Sequence, residues 1–171
     1  MTEQVSNGLA NHLCRRQQSC IECQVGLSSD RVALQTEGDQ SFHEAMDVGV
    51  PLEVVPMQRE YLDTVIAYAL AGLRRGETPS PDVMCNRMIK FGAFVDRFAE
   101  TADFIASGHH ARVDHTGRLS RLLKGVDPVK DQTYFLCRLT PRQIRQVMFP
   151  IGSLTKRDVR RMAAELNFPN R

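Results

Sequence analysis

The chain has 171 residues, of which 42% are hydrophobic and 25% charged, the size and balance of one ordinary soluble globular domain. Its net charge of +2 is small. No apolar run approaches the ~20 residues that a membrane-spanning helix needs, and the first residues lack a signal-peptide pattern. Five cysteines, an odd number, fit a reducing compartment better than a disulfide framework. We therefore expect a cytoplasmic protein with no membrane partner.

The first half of the chain changes character near residue 41. Residues 1–40 hold no lasting apolar period and are expected to be irregular or disordered. The β-branched run that Pro56 closes predicts a strand, and the apolar spacing from Met57 predicts a helix that ends at Gly76. This helix would bury Met57, Tyr61, Leu62, Val65, Ile66, Ala69 and Leu73. Prolines then force an extended loop, after which Asn86 is expected to cap a second helix. Its buried face would comprise Ile89, Ala93, Phe94 and Phe98.

The second half alternates short strands and helices. Residues 103–107 predict a buried strand that ends at Gly108, and alternation around Thr116-Gly117 predicts a hairpin. Three helix caps are expected, at Asp131, Thr140 and Thr155. Strands that alternate with helices in this way predict an α/β layered domain with a largely parallel sheet.

Charge is distributed unevenly along the chain. Residues 1–64 carry 4 Lys/Arg against 10 Asp/Glu, whereas residues 65–171 carry 18 against 10. Between Arg138 and Arg161, seven basic residues stand against one acid, Asp158. Such a one-sided field attracts polyanions, although a charge run alone is more often a solvated helix face.

The most informative stretch, residues 78–92, places a carboxylate and a thiol beside a proline-stiffened loop. Asp82 precedes Cys85 by three residues, and Cys85 is expected at or just before the start of the second helix. Unpaired N–H groups and the helix dipole favour an anion there, so the thiol would be reactive as its thiolate. Asp82 would serve as a general acid or base. A buried structural cysteine with Asp82 as a helix cap explains the same residues.

Four blocks resemble, in order and spacing, the signature of the tRNA-specific 2-thiouridylases, the MnmA and TrmU family. Residues 78–92 resemble Thr-Pro-Asn-Pro-Asp-Val-Leu-Cys-Asn-x-x-Ile-Lys-Phe, and residues 105–112 resemble Ile-Ala-Thr-Gly-His-Tyr-Ala-Arg. Residues 123–136 resemble Leu-x-x-Gly-x-Asp-x-x-Lys-Asp-Gln-Ser-Tyr-Phe-Leu, and residues 149–156 resemble Phe-Pro-Leu-Gly-x-Leu-Thr-Lys. The resemblance covers residues 43–171.

The resemblance implies a tRNA-uridine 2-sulfurtransferase on a Rossmann-like adenine nucleotide alpha-hydrolase layer of the PP-loop ATPase type. In that family ATP adenylates the C2 oxygen of the wobble uridine of certain tRNAs. A persulfide sulfur on one cysteine then replaces the oxygen, and a second cysteine helps to release the sulfur by forming a disulfide. The implied cofactor is ATP with Mg²⁺. The implied partners are tRNA and a sulfur-donor or persulfide-carrier protein.

The family's functional positions carry over to this chain residue by residue. Cys85 matches the first of the two cysteines, with Asp82 as its catalytic neighbour. Ser80, Pro81 and Asp82 match the tripeptide that meets the target base, although the family usually has Asn in place of Ser80. Gly108 matches a glycine of the ATP site. The implied tRNA contacts are His109, Lys130, Asp131 and Gln132. No metal ligand is implied.

Two departures from the family pattern predict a truncated member. The phosphate-cradling loop Ser-Gly-Gly-x-Asp-Ser is missing, and its nearest trace, at residues 25–34, has no glycine pair. Family members also continue past residue 171 into the segment with the second cysteine. Cys137 does not match that cysteine, and we interpret it as a packing residue. Cys20 and Cys23 form a single C-x-x-C pair, for which free thiols are favoured over a metal site.

Three segments are therefore expected: an irregular 1–40, a partial nucleotide-binding α/β domain with the cysteine loop at 41–126, and a small helical tRNA-binding extension at 127–171. Thiolation by this chain alone is expected to be low or absent. One alternative is a non-catalytic remnant or tRNA-binding module of the same family. Others are a different ATP pyrophosphatase or a metal-binding protein, and the block around Asp82 and Cys85 argues against these.

Overall fold

A five-stranded sheet forms the centre of the part of the chain that the structure describes. This computed structural model describes residues 24–27, 32–34, 52–100 and 102–167, with their side chains from residue 55 onward. The strands in these ranges are β1 (Gln24–Leu27), β2 (Val32–Leu34), β3 (Leu52–Val54), β4 (Phe104–Ser107), β5 (Ala111–Asp114), β6 (Arg121–Lys124) and β7 (Val147–Met148). The sheet has the order β3-β2-β1-β4-β7, and β5 pairs with β6 in a separate hairpin.

The sheet is mixed rather than largely parallel as predicted. β1 pairs antiparallel with both β2 and β4, whereas the β2–β3 and β4–β7 pairs are parallel. The reason is connection length, because residues 28–31 alone separate β1 from β2 and a parallel crossover needs a dozen residues or more. β1 and β2 also lie within residues 1–40, so the described part of that segment is strand and not irregular.

Helix α1 covers residues 58–74, close to its predicted span. It has α-helical turns at Gln58–Tyr61 and Ala67–Arg74 and a π-helical stretch at Leu62–Ile66. Gly76 takes a positive φ of 76°. The N–H of Gly76 donates to the carbonyl of Leu73, and the next N–H donates to the carbonyl of Gly72. This pair of bonds is the Schellman arrangement, which glycine permits because it has no Cβ.

The buried face of α1 is narrower than predicted. Met57, just before the helix, and Val65 are buried, but Leu62 and Leu73 are exposed. A π-helical turn holds more residues than an α-helical turn, so the stretch at Leu62–Ile66 rotates the positions after it, Leu73 among them, out of the expected face. Nothing in the structure explains the exposure of Leu62, which begins the stretch.

Helix α2 covers residues 81–98 and begins six residues earlier than predicted. Ser80 takes an extended conformation (φ −109°, ψ 96°) at the N-cap position, and Pro81 occupies the first helical position. Proline suits that position because its fixed φ is helical and its missing N–H would have no partner there. Asn86 therefore lies inside the helix, at the start of the π-helical stretch Asn86–Ala93. Of the residues predicted to form the buried face of this helix, Ile89 and Phe94 are fully buried.

One side chain supports the π-helical stretch of α2 from outside. The Gln143 Nε2 donates to the carbonyls of both Arg87 and Phe91, each at 2.7 Å. A Cβ at Gly92 would lie 2.8 Å from the Arg87 carbonyl oxygen, so glycine is required at this position. Gln143 belongs to helix α3 (Pro141–Arg145), where its other amide atom, Oε1, accepts from the N–H of the cap residue Thr140.

The C-terminal part of the chain returns to the sheet through β7, so residues 127–171 are not helical throughout. A 3-10 turn (Thr133–Leu136) precedes α3, and helix α4 (Lys156–Glu165) follows β7. Thr140 and Thr155 cap α3 and α4 through capping boxes, as predicted. The β5–β6 hairpin is also confirmed, with Asp114 opposite Arg121.

The hydrophobic core lies between the sheet, α2 and the 3-10 turn. Its fully buried side chains include Ile89, Phe91, Phe94, Ile105, Leu136 and Val147. Each such side chain contributes about 1.5–3 kcal/mol through removal of apolar surface from water. No helix in the described ranges is long and apolar enough to cross a bilayer.

Candidate functional site

Asp82 and Cys85 lie on the first turns of α2, and their depth differs. Asp82 is half-buried at the second helical position, and Ser80 before it is exposed. Cys85 is 3% exposed and belongs to the hydrophobic core. The residues three apart share one face of the helix.

The prediction that Cys85 lies at a helix N-terminus is wrong. Because the helix begins at Pro81, its unpaired N–H groups belong to the residues directly after that proline, a turn before the thiol. The N–H of Met84 already donates to the Ser80 carbonyl, at 3.3 Å. The helix dipole therefore favours an anion near Asp82 rather than at the sulfur.

Asn86 connects the cysteine turn to the 3-10 turn. Its Nδ2 donates to the carbonyl of Phe135 at 3.3 Å, across 49 residues of sequence. Its Oδ1 is buried and lacks a hydrogen-bond partner among the described residues. Leu136, at the end of the 3-10 turn, belongs to the same core as Cys85. The 3-10 turn thus packs against the start of α2.

His109 lies directly after Gly108, at the carboxyl end of β4, and is buried. Its Nδ1 is 2.7 Å from the Ser107 hydroxyl oxygen, and its ring lies 6.0 Å from those of Phe91 and Phe149. Burial, and secondarily the charge of Lys90, hold the pKa of His109 well below its usual 6.5. The imidazole is therefore neutral at pH 7. Its predicted contact with tRNA would require this covered ring to become accessible.

Lys90 is a buried cation beside this histidine. The side chain is 5% exposed, and no described carboxylate lies within ion-pair distance of its ammonium group. The sequence block Ile-Lys-Phe gave no signal of this burial, because a lysine in a helix is normally exposed.

The tripeptide Lys130-Asp131-Gln132 is held tightly by its surroundings. Asp131 Oδ1 accepts from the N–H (3.1 Å) and hydroxyl (2.5 Å) of Thr133 and from the N–H of Gly125 (3.3 Å). These bonds lower the pKa of Asp131 below its usual value, the Thr133 hydroxyl being the largest cause. The prediction that Asp131 caps a helix through Leu139 is wrong, because the N-cap of the 3-10 turn Thr133–Leu136 is Gln132. Asp131 instead accepts the Thr133 bonds from one position before that cap.

Gln132 joins this loop to the residues after Gly108. The N–H of His110 donates to the Gln132 side-chain oxygen and the N–H of Gln132 donates to the His110 carbonyl, both at 3.0 Å. Gln132 is buried. Of the three tRNA-contacting residues that the motif predicts, Asp131 and Gln132 therefore make contacts within the fold, while Lys130 is half-buried.

Asp127 is a residue that sequence reasoning passed over. One carboxylate oxygen accepts from the N–H groups of Val129 (2.9 Å) and Lys130 (3.0 Å), and the other from the N–H of Lys156 (2.7 Å) at the start of α4. These bonds, the one from Lys156 above all, lower its pKa. An aspartate that precedes a turn by two residues is a recognisable signal for such bonds.

His110 lies in the same neighbourhood and is 4% exposed. Burial is the largest cause that lowers its pKa, and the Leu154 carbonyl and the Asp127 carboxylate oppose it. Its Nδ1 has no hydrogen-bond partner among the described residues. A buried polar atom of this kind is available to a bound group.

Hydrogen bonds and a ring contact thus connect three segments that the motifs singled out. The cysteine turn bonds to the 3-10 turn through Asn86, and Gln132, beside that turn, bonds to the loop after Gly108. Phe91 of α2 also connects the helix to the loop after Gly108, through its ring contact with His109. Cys137 takes part in none of these three contacts and is exposed. Within the described ranges no group of three His, Cys, Asp or Glu residues is placed to hold a metal ion. Cys14, Cys20 and Cys23 fall outside those ranges.

The layered sheet and helices, with a glycine at the carboxyl end of β4, define an α/β protein of the Rossmann-like class. Residues 18–171 match the model of the family described as tRNA methyl transferase HUP domain. The chain belongs to this family. The HUP domain is a Rossmann-like adenine nucleotide alpha-hydrolase fold, so the predicted fold class is confirmed.

Curated relatives agree with the family predicted from the motifs. The chain is 46% identical over 145 residues to tRNA-specific 2-thiouridylase MnmA 1 of Geobacillus kaustophilus. This match covers 84% of the chain and 39% of that relative. It is 49% identical over 119 residues to the MnmA enzyme of Bacillus pumilus and 47% identical over 124 residues to that of Ureaplasma urealyticum. These matches cover 69% and 71% of the chain and 32% of each relative. The chain thus spans about a third to two fifths of the length of these relatives.

Proposed function

We propose that the chain is part of a tRNA-uridine 2-sulfurtransferase, which replaces the C2 oxygen of the wobble uridine with sulfur at the expense of ATP. The observation that carries the proposal is the meeting of three segments. The cysteine turn, the loop after Gly108 and the tripeptide at 130–132 are far apart in sequence and joined by hydrogen bonds and ring contacts. The relatives named as tRNA-specific 2-thiouridylases support the same reaction.

Each segment has a chemical part in this proposal. Ser80 and Pro81, at the exposed start of α2, would meet the target base, and Asp82 would move a proton at that base. Cys85 would pair with a persulfide-bearing second cysteine. A disulfide then forms between Cys85 and that second cysteine as the persulfide S–S bond breaks. The outer sulfur of the persulfide is released and passes to the uridine. Lys130 would contact the tRNA backbone.

The described residues fit a nucleotide at the end of β4. Gly108 is half-buried there, and the buried His110 Nδ1 beside it has no partner among the described residues. ATP, with Mg²⁺, would supply the adenylate that makes the C2 oxygen a leaving group. Residues 28–31, in the nearest sequence trace of the family's phosphate loop, lie outside the described ranges. A sulfur-donor protein and a cytoplasmic location, where thiols stay reduced, complete the proposal.

A second function, a tRNA-binding module without catalysis, is favoured by one observation. Cys85 is 3% exposed, and a thiol must reach its partner to react. If the chain is catalytic, the 3-10 turn that packs against α2 has to move when tRNA binds. If it is a binding module, Cys85 remains a core residue.

Transplantation into a relative tests the proposal. Residues 55–167 of this chain would replace the matching part of the Bacillus pumilus relative, and 2-thiouridine in tRNA would be measured by mass spectrometry. The proposal expects thiolation that depends on Cys85 and is retained in the Cys137→Ala control. A folded chimera that binds tRNA but forms no thiouridine, with the unaltered relative active, would favour the binding module.

A further inference from the structure

Tyr134 is the most exposed aromatic side chain among the described residues. It is 61% exposed, whereas Tyr68 and Phe104 are 37% and 38% exposed. Its ring lies on that of Phe135, with centroids 4.1 Å apart and planes 34° apart. One face of the tyrosine is therefore covered by its neighbour. Because the whole side chain is 61% exposed, the contact with Phe135 leaves a large part of the ring open.

The turn that carries Tyr134 is fixed on both sides. Thr133, directly before it, donates two hydrogen bonds to Asp131, and the Phe135 carbonyl accepts from Asn86. Leu136 is 1% exposed and anchors the turn in the core. A ring held this rigidly loses little conformational freedom when a ligand stacks on it.

The position of the turn indicates the ligand. Asn86 ties it to the cysteine turn, and the preceding Gln132 ties it to the loop after Gly108. Lys130 and Arg138 flank it in sequence, and residues 65–171 carry an excess of positive charge. An exposed aromatic ring in a positively charged segment is typical of proteins that bind unpaired nucleic-acid bases.

We propose that the free face of Tyr134 stacks on an unpaired base of the RNA, next to the base that is modified. This inference rests on the proposed function, because it takes tRNA as the partner. It adds a contact beyond the residues to which the resemblance assigns tRNA binding. Base-paired RNA would not use it, since its bases are already stacked on each other.

Two substitutions at residue 134 separate stacking from the other effects of the side chain. Leu at this position keeps an apolar group and removes the aromatic face, whereas Phe keeps the face and removes the hydroxyl. We expect Tyr134→Leu to weaken binding of a labelled anticodon stem-loop RNA by roughly 5- to 150-fold. Tyr134→Phe should bind within about threefold of wild type, and Tyr68→Leu on α1 is the matched control.

Fluorescence gives a second, independent readout. The chain has three tyrosines and no tryptophan, so tyrosine emission is observable. Stem-loop binding should quench this emission, and Tyr134→Phe should bind the RNA without that quench. A quench that persists in Tyr134→Phe would overturn the inference even if Tyr134→Leu did not fold.

The outcomes also separate this inference from the proposed function. If wild type and Tyr134→Leu bind the stem-loop equally while Lys130→Gln binds more weakly, the stacking role is wrong and tRNA binding stands. If the wild-type chain binds neither the stem-loop nor whole tRNA, both are wrong. A duplex RNA of equal length should show no dependence on Tyr134.

Discussion

Gln132 and His110 hold each other by two hydrogen bonds of 3.0 Å, although 22 residues separate them in sequence. The pair joins the loop at residues 127–132 to the loop that follows Gly108. The predicted tRNA-contacting tripeptide and the predicted ATP glycine therefore form one unit. These two bonds fix the position of each loop relative to the other.

Gln132→Leu should destabilise the chain by about 1–3 kcal/mol, because the buried N–H of His110 loses its acceptor. Urea unfolding followed by circular dichroism measures this change. Gln146→Leu, a half-buried glutamine at the end of α3, is the matched control and should have a smaller effect. An unchanged unfolding midpoint for Gln132→Leu would mean that the pair contributes nothing to stability.

Gln143→Ala should cost about 2 kcal/mol, since one side chain both caps α3 and satisfies two carbonyls of α2. The same unfolding experiment applies.

Gly92→Ala should also destabilise the chain, because its methyl group would meet the Arg87 carbonyl at 2.8 Å. A π-helical stretch that tolerates both changes without loss of stability would contradict this description of α2.

Acid should destabilise the chain in part through His109. Its pKa is well below 6.5 in the folded state, so the unfolded chain binds the extra proton as the pH falls below about 6.5. The stability that the neutral ring contributes is thus complete above about pH 6.5 and is lost at lower pH, by at most about 1.4 kcal/mol per pH unit. Unfolding free energies at pH 7 and pH 5 measure this loss, which should shrink in His109→Gln. An equal loss in both proteins would exclude His109 as the cause.

Cys85 should react with iodoacetamide roughly tenfold or more slowly than Cys137, because the first is buried and the second exposed. Peptide mass spectrometry after timed labelling gives both rates in one sample. If tRNA binding moves the 3-10 turn, tRNA should speed labelling of Cys85 and leave Cys137 unaffected. Equal rates for the two cysteines in the free chain would show that Cys85 is not covered.

Local signals predicted the elements whose causes are local. Thr140 and Thr155 cap their helices through side chains three residues away, and Gly76 ends α1 through its own φ. Asn86 failed as a predicted cap because Ser80 and Pro81 offer a helix start six residues earlier. Sequence alone does not decide between the two. The bond from Asn86 to Phe135, 49 residues away, belongs to tertiary structure.

In the candidate site too, the sequence predicted the features with local causes and not those that depend on tertiary packing. The motifs named Asp82, Cys85 and Gln132, but not how deeply each is buried. Burial of Lys90 and of Cys85 depends on how α2 packs against β4 and the 3-10 turn. Asp127 carried a usable local signal, since its carboxylate binds N–H groups two and three residues onward.

Single-turnover thiolation by the chimera with the Bacillus pumilus relative tests the central claim most directly, namely that the turn with Asp82 and Cys85 does chemistry on tRNA. We predict that Cys85→Ala abolishes thiouridine formation and that Asp82→Asn slows it by about 10²-fold or more. Binding of tRNA should remain within a few-fold of the parent chimera. Undiminished thiolation in both variants would show that this turn is only a structural part of the fold.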